Sequence, residues 1–317
     1  MCEKCGCSDG AEIILTNMQT REHIHLNNEG PHKHSHGEHH HGHHHLGHGE
    51  GHSHSHGGHH HSHSHPHGES HGHSHGEHHH SHSHGHSHEH SHSHAHSHAS
   101  TVIKLEEDVL AKNRLLAERN KGWFDGRGML ALNVMSSPGA GKTTLLERTL
   151  RDTGREFDIQ VVEGDQASTQ DAERIQAAGG RVVQINTGVG CHLDAGMVSR
   201  AVRQLDPPLN STLIIENVGN LICPALFDLG ERAKVVIASV TEGEDKPIKY
   251  PHMFRSASLV LLNKIDLLPH LDFSVERFME YLGRVNSKVR TIQLSASRGQ
   301  GIEEWYAWLR KLRSEAP

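Results

Sequence analysis

From Met129 onward the chain alternates two hydrophobic rhythms. Short aliphatic runs, rich in β-branched residues, fall near 129–135, 158–163, 181–186, 212–216, 233–240, 258–263 and 290–294. Between them, apolar positions recur at helical spacing near 141–152, 169–178, 194–205, 274–286 and 302–313. The first rhythm predicts strands and the second amphipathic helices. Strand then helix, repeated, implies an α/β fold: a mostly parallel sheet flanked by helices on both faces. Ligands of such sheets bind outside the carboxyl ends of the strands, so residues just past each predicted strand are the candidates for chemistry.

Upstream the pattern changes. Residues 101 to about 122 read as one helix, with Val102, Leu105, Val109 and Leu116 near one face and Glu106, Lys112 and Arg119 elsewhere. Residues 32–98 have no rhythm; they are low-complexity His, Ser, Gly and Glu. Such a segment buries too little apolar surface to offset its chain entropy, so it is expected to be disordered when metal-free. Residues 1–10 hold a separate cysteine array. The expected organisation is a metal-binding motif at 1–10, a His-rich tract at 32–98 and one domain at 101–317 that starts with a helix.

Composition sharpens this division. The chain has 317 residues and 39 histidines, of which only His192, His252 and His270 follow residue 100. The 217 residues from Thr101 suffice for one domain with a core. A formal net charge of −7 with histidine neutral argues against a nucleic-acid binder driven by phosphate contacts. No run of about 18 apolar residues occurs, so no membrane span is expected. "MCEKCGCSDG" lacks the basic-then-apolar pattern of a signal peptide. The expected location is cytoplasmic, with the five cysteines as reduced thiols.

"SSPGAGKTT", after the first predicted strand, resembles a phosphate-binding loop with Ser136 in place of the first Gly. Gly139, Ala140 and Gly141 supply backbone N–H groups, Lys142 is placed to reach the β and γ phosphates, and Thr143, followed by Thr144, to hold Mg²⁺. "NKID", Asn263 to Asp266, ends the sixth predicted strand. The Asp266 carboxylate can accept from guanine N1 and N2, and the stem of Lys264 can cover the base. "SAS", with Ser295 and Ala296, fits the loop whose amide meets guanine O6. GTP is therefore the expected nucleotide.

Two carboxylates complete the candidate catalytic set with Lys142. Asp165 follows the second strand in "EGDQ", suited to Mg²⁺ or to orienting water; Glu216 ends the fourth in "ENVGN", suited to a Mg²⁺-bound water. Glu216-x-x-Gly219 stands where many GTPases have D-x-x-G, and its Gly219 amide can sense the γ-phosphate. Lys246 and Lys249 in "GEDKPIKYP" read as solvent-exposed.

Three regions can hold metal. Cys2, Cys5 and Cys7 form C-x-x-C-x-C, a soft donor set that suits Ni²⁺ or Zn²⁺. Cys191 and His192 in "GVGCHLDAG", with Cys223 in "NLICPAL", lie past strand ends. The residues leave two readings open there: small buried core thiols, or an incomplete metal site at the nucleotide edge. The imidazole tract suits weak binding of several ions at once, which is buffering.

Together "SSPGAGKTT", "EGDQ", "GCHLDAG", "ENVGNLICPALFDLGE", "NKID" and the leading C-x-x-C-x-C resemble the hydrogenase maturation GTPase family, HypB. The resemblance implies a P-loop NTPase fold of the dimerising SIMIBI type and a nickel metallochaperone that hydrolyses GTP slowly. It implies a tight nickel site at Cys2, Cys5 and Cys7, and a nickel or zinc site at Cys191, His192 and Cys223 near a GTP-dependent homodimer interface. The implied partners are an accessory nickel-binding protein and the large-subunit precursor of a [NiFe]-hydrogenase, with neither nucleic acid nor membrane. Two alternatives remain: a nickel storage or detoxification protein, and the related nickel GTPase serving urease. The metal motif of the latter looks like C-P-H, whereas Cys191-His192 and Cys223-Pro224 are separate here.

Overall fold

The structure is a computed structural model that describes residues 13–27, 30–34 and 95–316. Cys2, Cys5, Cys7 and most of the His-rich tract lie outside the described residues.

Seven parallel strands match the seven expected: β4 (Leu130–Ser136), β5 (Ile159–Asp165), β6 (Arg181–Asn186), β7 (Thr212–Glu216), β8 (Ala233–Ser239), β9 (Leu259–Asn263) and β10 (Arg290–Gln293). They lie in the order β10-β9-β8-β4-β7-β5-β6. The central strands are buried along their whole length, which is why they read as continuous apolar runs. Helices α2 (Lys142–Phe157), α3 (Gln170–Ala177), α4 (Ala195–Leu205), α7 (Val275–Val285) and α8 (Ile302–Ser314) coincide with the five expected. Two short helices, α5 (Lys246–Lys249) and α6 (Pro251–Ser256), were not foreseen.

Leu146, Ile175, Trp305 and Leu309, from α2, α3 and α8, pack on one face of the sheet. Val198, Ala201 and Leu205 of α4 share another buried cluster with Val162, Val183 and Ile215. Met253 and Phe254 of α6 and Phe278 of α7 form a third with Val236 and Val260.

Three strands extend the sheet beyond the expected domain. β1 (Ile13–Asn17) pairs antiparallel with β6, then β2 (His23–Asn27) and β3 (Gly30–His34) follow, all antiparallel. Ile13, Leu15, Ile24 and Leu26 share one face and pack on the α4 cluster. The domain therefore recruits residues N-terminal to position 101, and β3 takes in residues 32–34, which were expected to belong to the disordered tract.

The long helix α1 (Ala95–Gly126) starts earlier and ends later than residues 101–122. Of the face expected to pack, the side chains of Val102 and Leu105 lie outside the described residues and Leu116 is half-buried. Val109 is 46% exposed, whereas Asn113, Ala117, Asn120 and Phe124 are buried. Hydrophobic periodicity missed this because two of the four are polar. Asn120 Nδ2 donates to the carbonyls of Ala195 (2.8 Å) and Leu229 (3.0 Å), and Asn113 Oδ1 accepts from the Ala195 amide. Asn120→Ala leaves two buried carbonyls unpaired and is expected to lower stability by about 1–3 kcal/mol, read as a shift of the urea midpoint at constant m.

Candidate functional site

The turn between β4 and α2 curls back on itself through Gly139 and Gly141, whose φ values are 73° and 99°. Gly141 is required twice. Its positive φ disfavours a side chain, and a Cβ there would lie 2.5 Å from Asn263 Nδ2. Ser136, where the usual loop has Gly, is fully buried; its Oγ donates to the Ser137 carbonyl and accepts from Lys142 Nζ at 3.0 Å. The substitution thus anchors the lysine at the mouth of the loop. Thr144 Oγ1 accepts from Arg174 of α3, which also pairs with Glu147 of α2 at 2.9 Å.

Thr143 Oγ1 donates to Glu216 Oε1 at 2.8 Å, joining the start of α2 to the end of β7. Burial pushes the Glu216 carboxyl up to about 7, against the pull of Lys142 and of the Thr143 hydroxyl. Its other oxygen, Oε2, is buried with no hydrogen-bond partner among the described residues. A hydroxyl, a buried carboxylate with an unused oxygen and a nearby lysine are the hard-oxygen chemistry that suits Mg²⁺ beside phosphate. Asp165, at the end of neighbouring β5, accepts from the Ser168 amide at 3.0 Å. Gly219 lies against the phosphate loop: a Cβ there would sit 3.2 Å from Pro138 Cα.

The residues expected to read a base meet the same loop. Asn263 Nδ2 donates to the Ala140 carbonyl (2.8 Å), and Lys264 Nζ to that of Gly139 (2.7 Å). Lys264 takes a left-handed φ of 64°, which turns the chain into the 3-10 segment Ile265–His270. Asp266 Oδ1 is buried and without a hydrogen-bond partner among the described residues, as a carboxylate placed for an incoming donor pair would be. Ser295 is buried and its Oγ accepts from the Arg298 amide. The Ala296 amide, in the loop expected to offer an N–H to guanine O6, donates to Asn263 Oδ1 at 3.0 Å. The loop is thereby locked to "NKID", a partnership that spacing alone did not reveal.

Cys191, His192 and Cys223 converge. One ligand atom from each lies within 4.8 Å of the other two, and Cys191 Sγ is 3.7 Å from His192 Nδ1. Cys223 opens the 3-10 turn Cys223–Ala225 and is buried, so its burial and its place in the cluster coexist. His192 stacks on Phe227 with ring centroids 3.8 Å apart, and burial lowers its pKa against the opposing charge of Asp194. A neutral imidazole is the ligating form.

Asn217 was missed by sequence reasoning. Fully buried beside Glu216, its Oδ1 accepts from the amides of Leu193 (3.2 Å) and Val218 (3.0 Å), and its Nδ2 donates to Asn133. Leu193 follows His192 and presses on Gly164, where a Cβ would meet it at 2.9 Å. One side chain thus ties the loop carrying Cys191 and His192 to the strand end carrying Glu216. Its place directly after Glu216 at a strand end was the available signal. Glu163 was also missed. It pairs in register with Glu216, and burial, with the Glu216 and Asp165 charges adding, pushes its carboxyl up to about 9. Lys249 is exposed as expected and pairs with Asp245, whereas Lys246 is half-buried over Tyr250.

The sequence profile described as "CobW/HypB/UreG, nucleotide-binding domain" matches residues 130–293. This chain belongs to that family. The hydrogenase maturation factor HypB of Azotobacter chroococcum is 54% identical over 214 residues, covering 68% of this chain and 70% of that one. The crystal structure of HypB from Archaeoglobus fulgidus superposes with a TM-score of 0.60 at 40% identity, covering 64% of this chain and 99% of that one. HypB from Helicobacter pylori, solved in complex with nickel, gives 0.61 at 37% identity, covering 64% and 96%. Among the described residues no helix is long and apolar enough to cross a membrane.

Proposed function

We propose that this chain is a GTP hydrolase that gates nickel delivery to a [NiFe]-hydrogenase precursor, with the His-rich tract as a nickel reservoir. The observation that carries the proposal is the Cys191–His192–Cys223 cluster and its tie through Asn217 to the strand end bearing Glu216. In this reading a change at the γ-phosphate that moves Glu216 is passed through Asn217 to the backbone next to His192.

In this reading the N–H groups of Gly139, Ala140 and Gly141 and the Lys142 ammonium hold the phosphates, and Thr144 continues the cradle. Thr143 and Glu216 hold Mg²⁺, directly or through its water, with Asp165 at the same edge as ligand or as the group that orients the attacking water. The ion supplies charge neutralisation at the β and γ phosphates. Asp266 selects guanine, Lys264 covers it, and Asn263, Ser295 and Ala296 keep the base loop against the phosphate loop. Catalysis here is positioning and electrostatics, and the expected intrinsic rate is low. Two thiolates and one imidazole leave a four-coordinate ion one ligand short. That makes exchange feasible, with the last donor coming from a second copy in a GTP-dependent homodimer, from an accessory nickel-binding protein, or from the large-subunit precursor. Cys2, Cys5 and Cys7 form a separate, tighter nickel site, and Zn²⁺ competes at the Cys191 cluster.

Because β1 covers the edge of β6, a chain cut at residue 100 loses part of its sheet. The test therefore uses the full chain. Nickel is titrated anaerobically with GDP and then with a non-hydrolysable GTP analogue, for the parent and for Cys191→Ala. The expected result is one thiolate-coordinated ion missing from the variant, and an affinity for that ion that differs between nucleotides by about 5- to 150-fold, the usual range of coupling between sites. Equal affinity in both nucleotide states would show that the GTPase does not gate the metal.

A further inference from the structure

A row of buried polar side chains runs from the loop after His192 to the turn before β8, and the GTPase reading uses only its first member. The Leu193 amide donates to Asn217 Oδ1 at 3.2 Å. Asn217 Nδ2 donates to Asn133 Oδ1 at 3.2 Å, and Asn133 Nδ2 to Glu231 Oε1 at 3.2 Å. Glu231 Oε2 accepts from the Leu229 amide at 2.7 Å. Asn120 of α1 donates to the carbonyls of both Leu229 and Ala195, so the row closes two residues from where it began. Asn133 and Asn217 are 0% exposed and the Glu231 side chain 2%. At that burial each donor must find its acceptor inside the protein.

A carboxamide accepts at one end and donates at the other, so a row of them can run in either direction. An ionised carboxylate only accepts. The groups that meet Glu231 are all donors: Asn133 Nδ2, the Leu229 amide and the Lys234 ammonium at 3.5 Å. Burial pushes the Glu231 pKa up, and Lys234 and the Leu229 amide pull it back. Glu231 therefore obliges Asn133 to turn its NH2 group toward the carboxylate. Asn133 Oδ1 then faces Asn217, which must offer Nδ2 there and keep Oδ1 for the amides of Leu193 and Val218. Direction is passed along the row by matching donors to acceptors, and reversal at any one member leaves two donors face to face.

We propose that Glu231 and Asn133 are positioning residues for the loop that carries Cys191 and His192: the carboxylate sets the direction of both buried carboxamides and so holds Leu193 to the strand end bearing Glu216. Both act through Asn217. Their effect on nickel rests on the function proposed above, whereas their hold on the loop does not. Glu231→Gln keeps the shape of the side chain but offers one acceptor to two donors. The shorter Leu229 contact keeps that acceptor, so the new NH2 group meets Asn133 Nδ2 and drives the row to reverse. Reversal sets Asn217 Nδ2 against the Leu193 and Val218 amides. Combining Glu231→Gln with Asn133→Asp restores the match: the new carboxamide donates to the new carboxylate, which also accepts from Asn217. Asn133 pairs in register with Lys234, so the relocated charge keeps its counter-ion.

The test is made on the full chain, metal-free, by hydrogen exchange resolved to single amides. Glu231→Gln is expected to quicken exchange of the Leu193 amide by about 5- to 150-fold, the cost of one lost buried partner. The Ala296 amide, held by Asn263 in the same way but outside the row, is expected to keep its rate. A general loss of stability would quicken both. The double variant is expected to return Leu193 toward the parent rate. Should circular dichroism show that Glu231→Gln does not fold, Asn133→Ala, which cuts the row in the middle, is read in its place with the same selective rise expected. An unchanged Leu193 rate in a folded variant overturns the positioning role, as does an equal rise at Ala296 or a folded double variant without recovery. The ratio of nickel affinities with GDP and with the GTP analogue, for the ion lost on Cys191→Ala, is then expected to shrink toward one in Glu231→Gln and to return in the double variant. A parent that shows no such ratio refutes the gating reading, and the exchange rates still decide the positioning.

Discussion

Lys142→Ala is expected to abolish measurable GTP hydrolysis, a loss of at least about 100-fold, while the folded protein keeps its nickel. Lys142 opens α2, and its ammonium reaches back to Ser136 Oγ at 3.0 Å. That places a positive charge at the mouth of the phosphate loop, where charge develops on the transferring phosphoryl group. It also opposes the burial of Glu216. Without it the Glu216 carboxyl rises further and takes a proton more readily at neutral pH, which weakens its hold on a cation. Both effects reduce hydrolysis. The fold should tolerate the change, because the residue is half-buried and its one hydrogen bond contributes only about 1 kcal/mol. Cys2, Cys5 and Cys7 are far away in sequence, and Cys191, His192 and Cys223 converge without help from Lys142. Phosphate release, circular dichroism and nickel stoichiometry measured on one preparation decide the matter. Loss of nickel together with hydrolysis, in a protein that is still folded, would refute a modular arrangement.

Asp266→Ala is expected to weaken GTP binding by about 2–4 kcal/mol, roughly 30- to 1000-fold. Asp266 presents a buried carboxylate oxygen that nothing among the described residues satisfies. A guanine N1–H and N2–H₂ pair matches a carboxylate, and adenine lacks that pair. The substitution should therefore erode the preference for guanine over adenine nucleotides rather than lower both equally. Asp266→Asn gives a sharper version. Its amide can accept from N1–H and donate to a C2 carbonyl, so it should favour xanthine over guanine nucleotides. Competition binding with GTP, ATP and XTP reads all three. Unchanged selectivity in both variants would mean that another group reads the base.

Much of the domain was legible from spacing. The central parallel strands are buried runs that any register must hide, and the strand ends that carry "SSPGAGKTT", "ENVGN" and "NKID" follow from them. Helix α1 was legible as a helix but not in its orientation. Its packed face is held by Asn113 and Asn120, whose value lies in backbone carbonyls and amides contributed by α4 and the turn before Glu231. The β1–β3 extension escaped notice for a related reason. Its strands are short and half-polar, although Ile13 and Leu15, then Ile24 and Leu26, do alternate.

By itself, the sequence determined which residue types follow which strands, and hence the candidates for a phosphate loop, a base-reading element and soft metal ligands. These are local properties, because a loop's donors and a strand's periodicity are set within a few residues. Only the tertiary structure decided which distant residues act together. It joined Thr143 to Glu216, locked the Ala296 amide to Asn263, brought Cys223 to Cys191 and His192, and made Asn217 the link between the loop after His192 and the strand end bearing Glu216. Such partnerships depend on strand order and register, which are settled by burying the whole sheet at once rather than by any one segment.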